Sequence, residues 1–120
     1  MTRTRASARA AGSRHERAVA DYLATHVDER VDRRVKTGAK DRGDIAALRA
    51  HGQRIVLECK DTRAILIGPY LHEAEIERGN DDALAGAVVC KRHGRADVAD
   101  AVVVMTLRDL AALITGVRPE

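Results

Sequence analysis

Residues 43–60, GDIAALRAHGQRIVLECK, constrain the fold of this chain more than any other stretch. Residues 44–48 and 54–60 are two strand-like runs joined by a short turn containing Gly52, a pattern that reads as a β-hairpin. A turn centred on His51 pairs residues whose numbers sum to about 102, setting Leu48 against Arg54, Ala46 against Val56 and Asp44 against Glu58. Strand alternation sends Ile55, Leu57 and Cys59 to the core and puts Lys60 on the face of Glu58. Two facing carboxylates, with Cβ atoms roughly 4.5–5.5 Å apart, repel one another. In one reading this is an edge hairpin whose charges face water, with Lys60 neutralising the acids; a one-residue slip would send every side chain to the opposite face. In the other, a divalent cation bridges the acids. Oxygen ligands with retained water favour Mg²⁺, and Mn²⁺ can substitute. Beside a phosphodiester such a cation polarises the phosphoryl oxygen and acidifies water, while a neighbouring ammonium stabilises developing charge or orients the nucleophile.

The flanking sequence predicts one α/β domain. Ser13 with Glu16 three residues on forms a capping-box pattern, and Val19, Tyr22, Leu23 and Val27 follow at helical spacing, so a first helix is expected over residues 14–27. Residues 29–37, ERVDRRVKT, give a loose first strand ahead of the hairpin. After an apolar run, Gly68 and Pro69 predict a break before an acidic amphipathic helix carrying Leu71, Ala74 and Ile76. GAVVCK and AVVVMTL read as fourth and fifth strands, and RDLAALITG as a closing helix that ends near Gly116. The order is α-β-β-β-α-β-β-α, a mixed sheet flanked by helices. With no Trp or Phe and two tyrosines, the core must be built from Ala, Val, Ile and Leu, a modest core for which self-association would bury more surface.

Charge divides the chain. Residues 1–60 carry 14 Lys and Arg against 8 Asp and Glu, and residues 61–120 carry 7 against 10. Arg3, Arg5, Arg9 and Arg14 share a segment with no acid, and Arg33, Arg34, Lys36, Lys40 and Arg42 follow in the basic half. Clustered arginine suits a polyanion, nucleic acid being the commonest, although the start also reads as a solvated, flexible basic arm over residues 1–12. The expected domain then spans residues 13–116, with a tail over 117–120. Cys59 and Cys90 lack metal-site spacing and a disulfide-rich context, so a reducing cytoplasm is the expected compartment. No run approaches the roughly 18 apolar residues of a membrane span. His51 is expected in the turn, His15 and His72 on helix surfaces and His93 in a loop.

The aspartate of GD, followed by ECK, resembles the PD-(D/E)xK nuclease signature, with Gly43 where proline is usual. The element order is similar to the restriction-endonuclease-like fold. GSRHERAVADYL, GDIAAL with IVLECK, PYLHEAEIERGN and VVCKRHGR together resemble small Holliday junction resolvases of actinobacterial phages and archaea, over about residues 12–115. The resemblance implies Asp44 and Glu58 as metal ligands, the Cys59 backbone carbonyl as a further ligand and Lys60 as the catalytic lysine. It makes Glu16 the helix glutamate that touches the metal or orients the attacking water; read by itself, Glu16 is the second half of a capping box. Lys91 and Arg92 match a basic pair suited to backbone phosphate, or else a solvated strand end. The implied activity is Mg²⁺-dependent cleavage of four-way DNA junctions by a homodimer, away from membranes. Nucleases of forks, flaps or duplex share this fold, as would a catalytically silent DNA-binding module.

Overall fold

Thr4, rather than Ser13, caps the first helix. The computed structural model describes residues 3–36 and 38–120, and its first helix α1 runs Arg5–His26, with the Thr4 hydroxyl accepting from the Ser7 N–H. Most of the expected flexible arm is therefore the opening turns of α1. Two features account for this: alanines at 6, 8, 10 and 11 favour helix, and Arg3 is tied to Asp61 at 3.2 Å. Glu16, inside the helix, is not part of a capping box. His15 is also displaced from expectation, because it is buried and its Nε2–H donates to the Val89 carbonyl at 3.0 Å.

The expected hairpin strand is broken in two. Strand β1, Asp32–Arg33, pairs antiparallel with β2, Ile45–Ala46, while β3, Arg49–Ala50, pairs antiparallel with β4, Gln53–Lys60. The turn residues are His51 (φ 54°) and Gly52 (φ 71°), the two positive φ values of a type I′ connection. Its register is Arg49 with Arg54 and Ala50 with Gln53, one residue away from the expected pairing of Leu48 with Arg54. Ala47, at φ 66°, interrupts the ladder. Beyond this bulge the chain returns to β4, where the Asp44 N–H donates to the Leu57 carbonyl at 2.9 Å. Asp44 thus still reaches the middle of β4, although the hairpin register alone would not bring it there.

Helix α2, Ile67–Asn80, connects β4 to the parallel strand β5, Ala85–Cys90; β6, Val102–Val104, adds antiparallel to β5, and α3, Leu107–Thr115, closes the chain. Among the described residues this gives three α-helices, a mixed sheet in the order β3-β4-β5-β6 and the small β1-β2 sheet. Gly68 and Pro69 do not break α2 but lie in its first turn, where proline's missing N–H costs nothing. Its buried stripe is Tyr70, Ala74 and Glu77, whereas Ile76 is exposed. The helix expected to carry Leu71 and Ile76 inward is therefore rotated.

Alternation on β4 and β5 divides the core. Ile55, Leu57, Ala85, Ala87 and Val89 pack with Val19 and Ala20 of α1, and Val88 and Cys90 pack with Tyr70 and Ala74 of α2. Helix α2 sits close on the sheet because position 86 is glycine: a Cβ there would lie 3.1 Å from the Ala74 carbonyl oxygen. No described helix is long and apolar enough to cross a membrane.

Gly43 holds a backbone conformation that proline could not adopt. It has φ +90°, and a Cβ there would meet the Leu57 carbonyl oxygen at 2.8 Å and Val56 Cγ1 at 2.9 Å. Proline, locked near φ −65°, cannot adopt this backbone. Gly43→Ala is expected to destabilise the protein by about 1–3 kcal/mol, and Gly43→Pro by more, as read from urea unfolding midpoints. Wild-type stability in either variant would contradict this account of the turn.

Candidate functional site

The expected acids come from α1, from the segment before β2 and from β4; Glu16 and Asp44 meet at one edge of β4, while Glu58 faces α2. Asp44 precedes β2 and is buried. Its Oδ2 accepts from the Cys59 N–H at 2.8 Å, so a carboxylate takes the place of a ladder partner where β3 has ended. The N–H and carbonyl of one strand residue project to the same edge, so the Cys59 carbonyl is on the Asp44 side, as its expected role requires. The Cys59 thiol points into the core, and burial pushes its pKa up.

Glu16 comes to the same place from α1. Burial, then the charge of Asp44, raises its pKa above the ordinary carboxylate value. Arg33 lies 3.7 Å from Glu16 and Lys36 3.6 Å from Asp44. Asp44 in turn raises the pKa of Lys36. The cation nearest Asp44 is thus Lys36, which sequence reasoning placed among the DNA contacts. Lys60 lies on the α2 side of β4, where its Nζ pairs with Glu73 at 2.9 Å and lies 5.3 Å from the centre of the Tyr70 ring.

Glu58 is buried on that same α2 side, and its Oε2 has no hydrogen-bond partner among the described residues. One oxygen each from Glu58, Asp41 and Glu77 falls within 4.8 Å of the others. Glu77 is 1% exposed, and neither of its oxygens has a partner among the described residues. Burial, followed by the Asp41 carboxylate, raises the Glu77 pKa to about 8. Asp41 is held in place by its Oδ1, which accepts from the Gly43 N–H at 2.9 Å, and by its carbonyl, which accepts from Asn80 of α2 at 2.8 Å. Sequence reading missed Asp41, Glu73 and Glu77. The signal for Glu77 was present: Tyr70, Ala74 and Glu77 are spaced by four and three residues, which puts an acid on the buried stripe of α2.

The expected DNA contacts divide into free and engaged groups. Arg5, Arg9, Arg14, Lys40, Arg42 and Arg92 are exposed, and Lys91 is exposed but 4.0 Å from Asp61. Arg14, Lys91, Arg92 and Arg95 line one cleft beside His15. Lys36, Lys40 and Arg42 line a second, formed by residues 34–36 and 38–43. Arg34 is half-buried and pairs with Asp81 at 3.5 Å, an internal contact. Arg3, Lys91 and His93 surround Asp61, at 3.2, 4.0 and 3.0 Å.

Chemically, the arrangement is a set of oxygen donors suited to a hard divalent cation, with lysines close by and basic clefts on the adjoining loops. An uncompensated buried carboxylate costs several kcal/mol, so in metal-free buffer Glu77 holds a proton until the pH approaches about 8. The unfolded chain releases that proton near 4.5 and the folded chain near 8. Between these values the folded state binds more protons, and stability falls as pH rises, by up to about 1.4 kcal/mol per pH unit. Thermal unfolding in EDTA should therefore show a declining midpoint from pH 5 to pH 8, and Glu77→Gln should flatten the decline. An equal slope in the variant would mean that other groups carry it. Comparisons with known protein families, curated proteins and solved structures give no match to this chain.

Proposed function

We propose that this protein is a Mg²⁺-dependent endonuclease of the restriction-endonuclease-like fold that resolves four-way DNA junctions as a homodimer. The observation that carries the reading is Asp44, anchored at the edge of β4 by the Cys59 N–H bond, with Glu16 alongside and Glu58 one residue before Cys59 on the same strand. Asp44 and Glu58 would hold the cation, helped by the Cys59 carbonyl and Glu16. When bound, the cation would polarise the scissile phosphate and acidify water. Mn²⁺ would substitute for Mg²⁺.

The protein's own groups bind and orient the substrate. Lys91, Arg92 and Arg14 on one side, and Lys40 and Arg42 on the other, offer charges for backbone phosphates. Lys60 serves as the catalytic lysine only after exchanging Glu73 for a phosphate oxygen. The i to i+13 pair is part-exposed, so breaking it costs little. A two-fold dimer would supply one site to each of two equivalent junction strands. Val102 and Val103 on β6 and Leu107, Leu110 and Ile114 on α3 are exposed apolar residues available for such an interface.

The test is cleavage of a labelled mobile junction beside duplex, flap and fork controls. Paired symmetric incisions in Mg²⁺ are expected, and Asp44→Asn, Glu58→Gln and Lys60→Ala should each abolish cutting while leaving DNA binding largely intact. Full cleavage by Asp44→Asn would remove this site from consideration. Preferential cutting of forks or flaps would retain the chemistry but change the substrate. Binding without cutting in any metal would leave a DNA-binding module.

The basic clefts make a separate prediction. Replacing Arg14, Lys91 and Arg92 together by Ala should reduce the slope of log K against log salt by roughly 0.9 for each DNA phosphate that is no longer neutralised. An unchanged slope would show that these groups stay solvated in the complex.

A further inference from the structure

The proposed nuclease reading uses Glu58 but leaves Asp41 and Glu77 without a role. These three carboxylates form a compact group whose deepest member, Glu77, is 1% exposed and unpartnered among the described residues. The neighbouring basic side chains are engaged elsewhere: Arg33 with Glu16, Arg34 with Asp81, Lys36 with Asp44 and Lys60 with Glu73. No described Lys, Arg or His pairs with Asp41, Glu58 or Glu77, although Asp41 is exposed and gives the group access to solvent. Two hydrogen bonds, from Asn80 to the Asp41 carbonyl and from Gly43 to its carboxylate, hold the exposed acid over the buried ones.

We propose that Asp41, Glu58 and Glu77 bind a hard divalent cation of the Mg²⁺ and Mn²⁺ class at a site of its own on the α2 face of β4, next to the Asp44 position and sharing Glu58 with it. The donors are all carboxylate oxygens, which excludes a preference for softer metals, and the exposed side leaves room for the waters that Mg²⁺ and Mn²⁺ retain. The cation also has a structural effect. It ties residues 38–43, which carry Lys40 and Arg42, to α2, so that the basic loop is fixed where the sheet ends.

The experiment counts Mn²⁺ bound by the full chain without DNA, from the electron paramagnetic resonance signal of free Mn²⁺ at pH 7.5. Wild type should bind two ions. Glu77→Gln and Asp41→Asn should each weaken one of them tenfold or more, and Asp44→Asn should weaken the other while sparing the α2-side ion. Asp41→Asn alters an exposed loop residue and keeps the test valid if Glu77→Gln folds poorly by circular dichroism. The inference is overturned if wild type binds no ion, or one ion that only Asp44→Asn removes. Unchanged binding in both Asp41→Asn and Glu77→Gln also overturns it, leaving a shared proton as what neutralises the group. The count uses no DNA, so a chain that binds two ions as described yet cuts no junction would refute the nuclease reading alone.

Discussion

The interaction on which the site depends is the pair of hydrogen bonds between Asp44 and β4: backbone N–H to the Leu57 carbonyl and side-chain Oδ2 from the Cys59 N–H. Between them they replace two rungs of a β-ladder. The strand that would have covered this edge has been diverted at Ala47, leaving backbone groups that need partners in a nearly dry environment. A carboxylate fills part of that need and becomes buried in doing so. Burial, and then the charge of Asp44, raise the proton affinity of Glu16, and Lys36 is drawn towards Asp44. Local backbone satisfaction and concentrated negative charge are thus two results of one arrangement.

Much of this was legible in the sequence, and the parts that were not share a cause. Strands were readable where apolar residues run together, as in β4 and β5, whose two faces pack against α1 and α2. Boundaries failed where side-chain chemistry outside the pattern decided the outcome. Thr4 competes with Ser13 as a cap and wins because the alanine-rich turns between them are good helix. The hairpin register was missed by one residue because a two-residue turn at His51 and Gly52 centres between them, not on His51. Asp44 nonetheless arrives near its expected place, since the bulge at Ala47 absorbs the difference. Periodicity carries no information about such a compensation.

The charged residues show the same limit from another side. Sequence spacing identified Asp44, Glu58 and Lys60 as one group, but the sheet separates what they face. Asp44 lies at the strand edge, whereas Glu58 and Lys60 point to α2 and meet Glu77, Glu73 and Tyr70 there. A helix contributed by the crossover between two parallel strands necessarily lies over the face of the first strand. Its acids become neighbours of that strand's acids, at a sequence distance that no short motif spans.

The close approach of α2 to β5 at Gly86 gives the acid cluster an unusual kind of tolerance. Because the helix is seated on the sheet through Ala74 and an absent side chain, the height of Glu77 above Glu58 is set by backbone against backbone. Rotamer changes among the surrounding surface residues can alter the charge around the cluster without altering its spacing. The geometry would instead be sensitive to a single added methyl group at position 86, outside the acid cluster: a wedge there would push α2 off the sheet and lengthen the distance from Glu77 to Glu58.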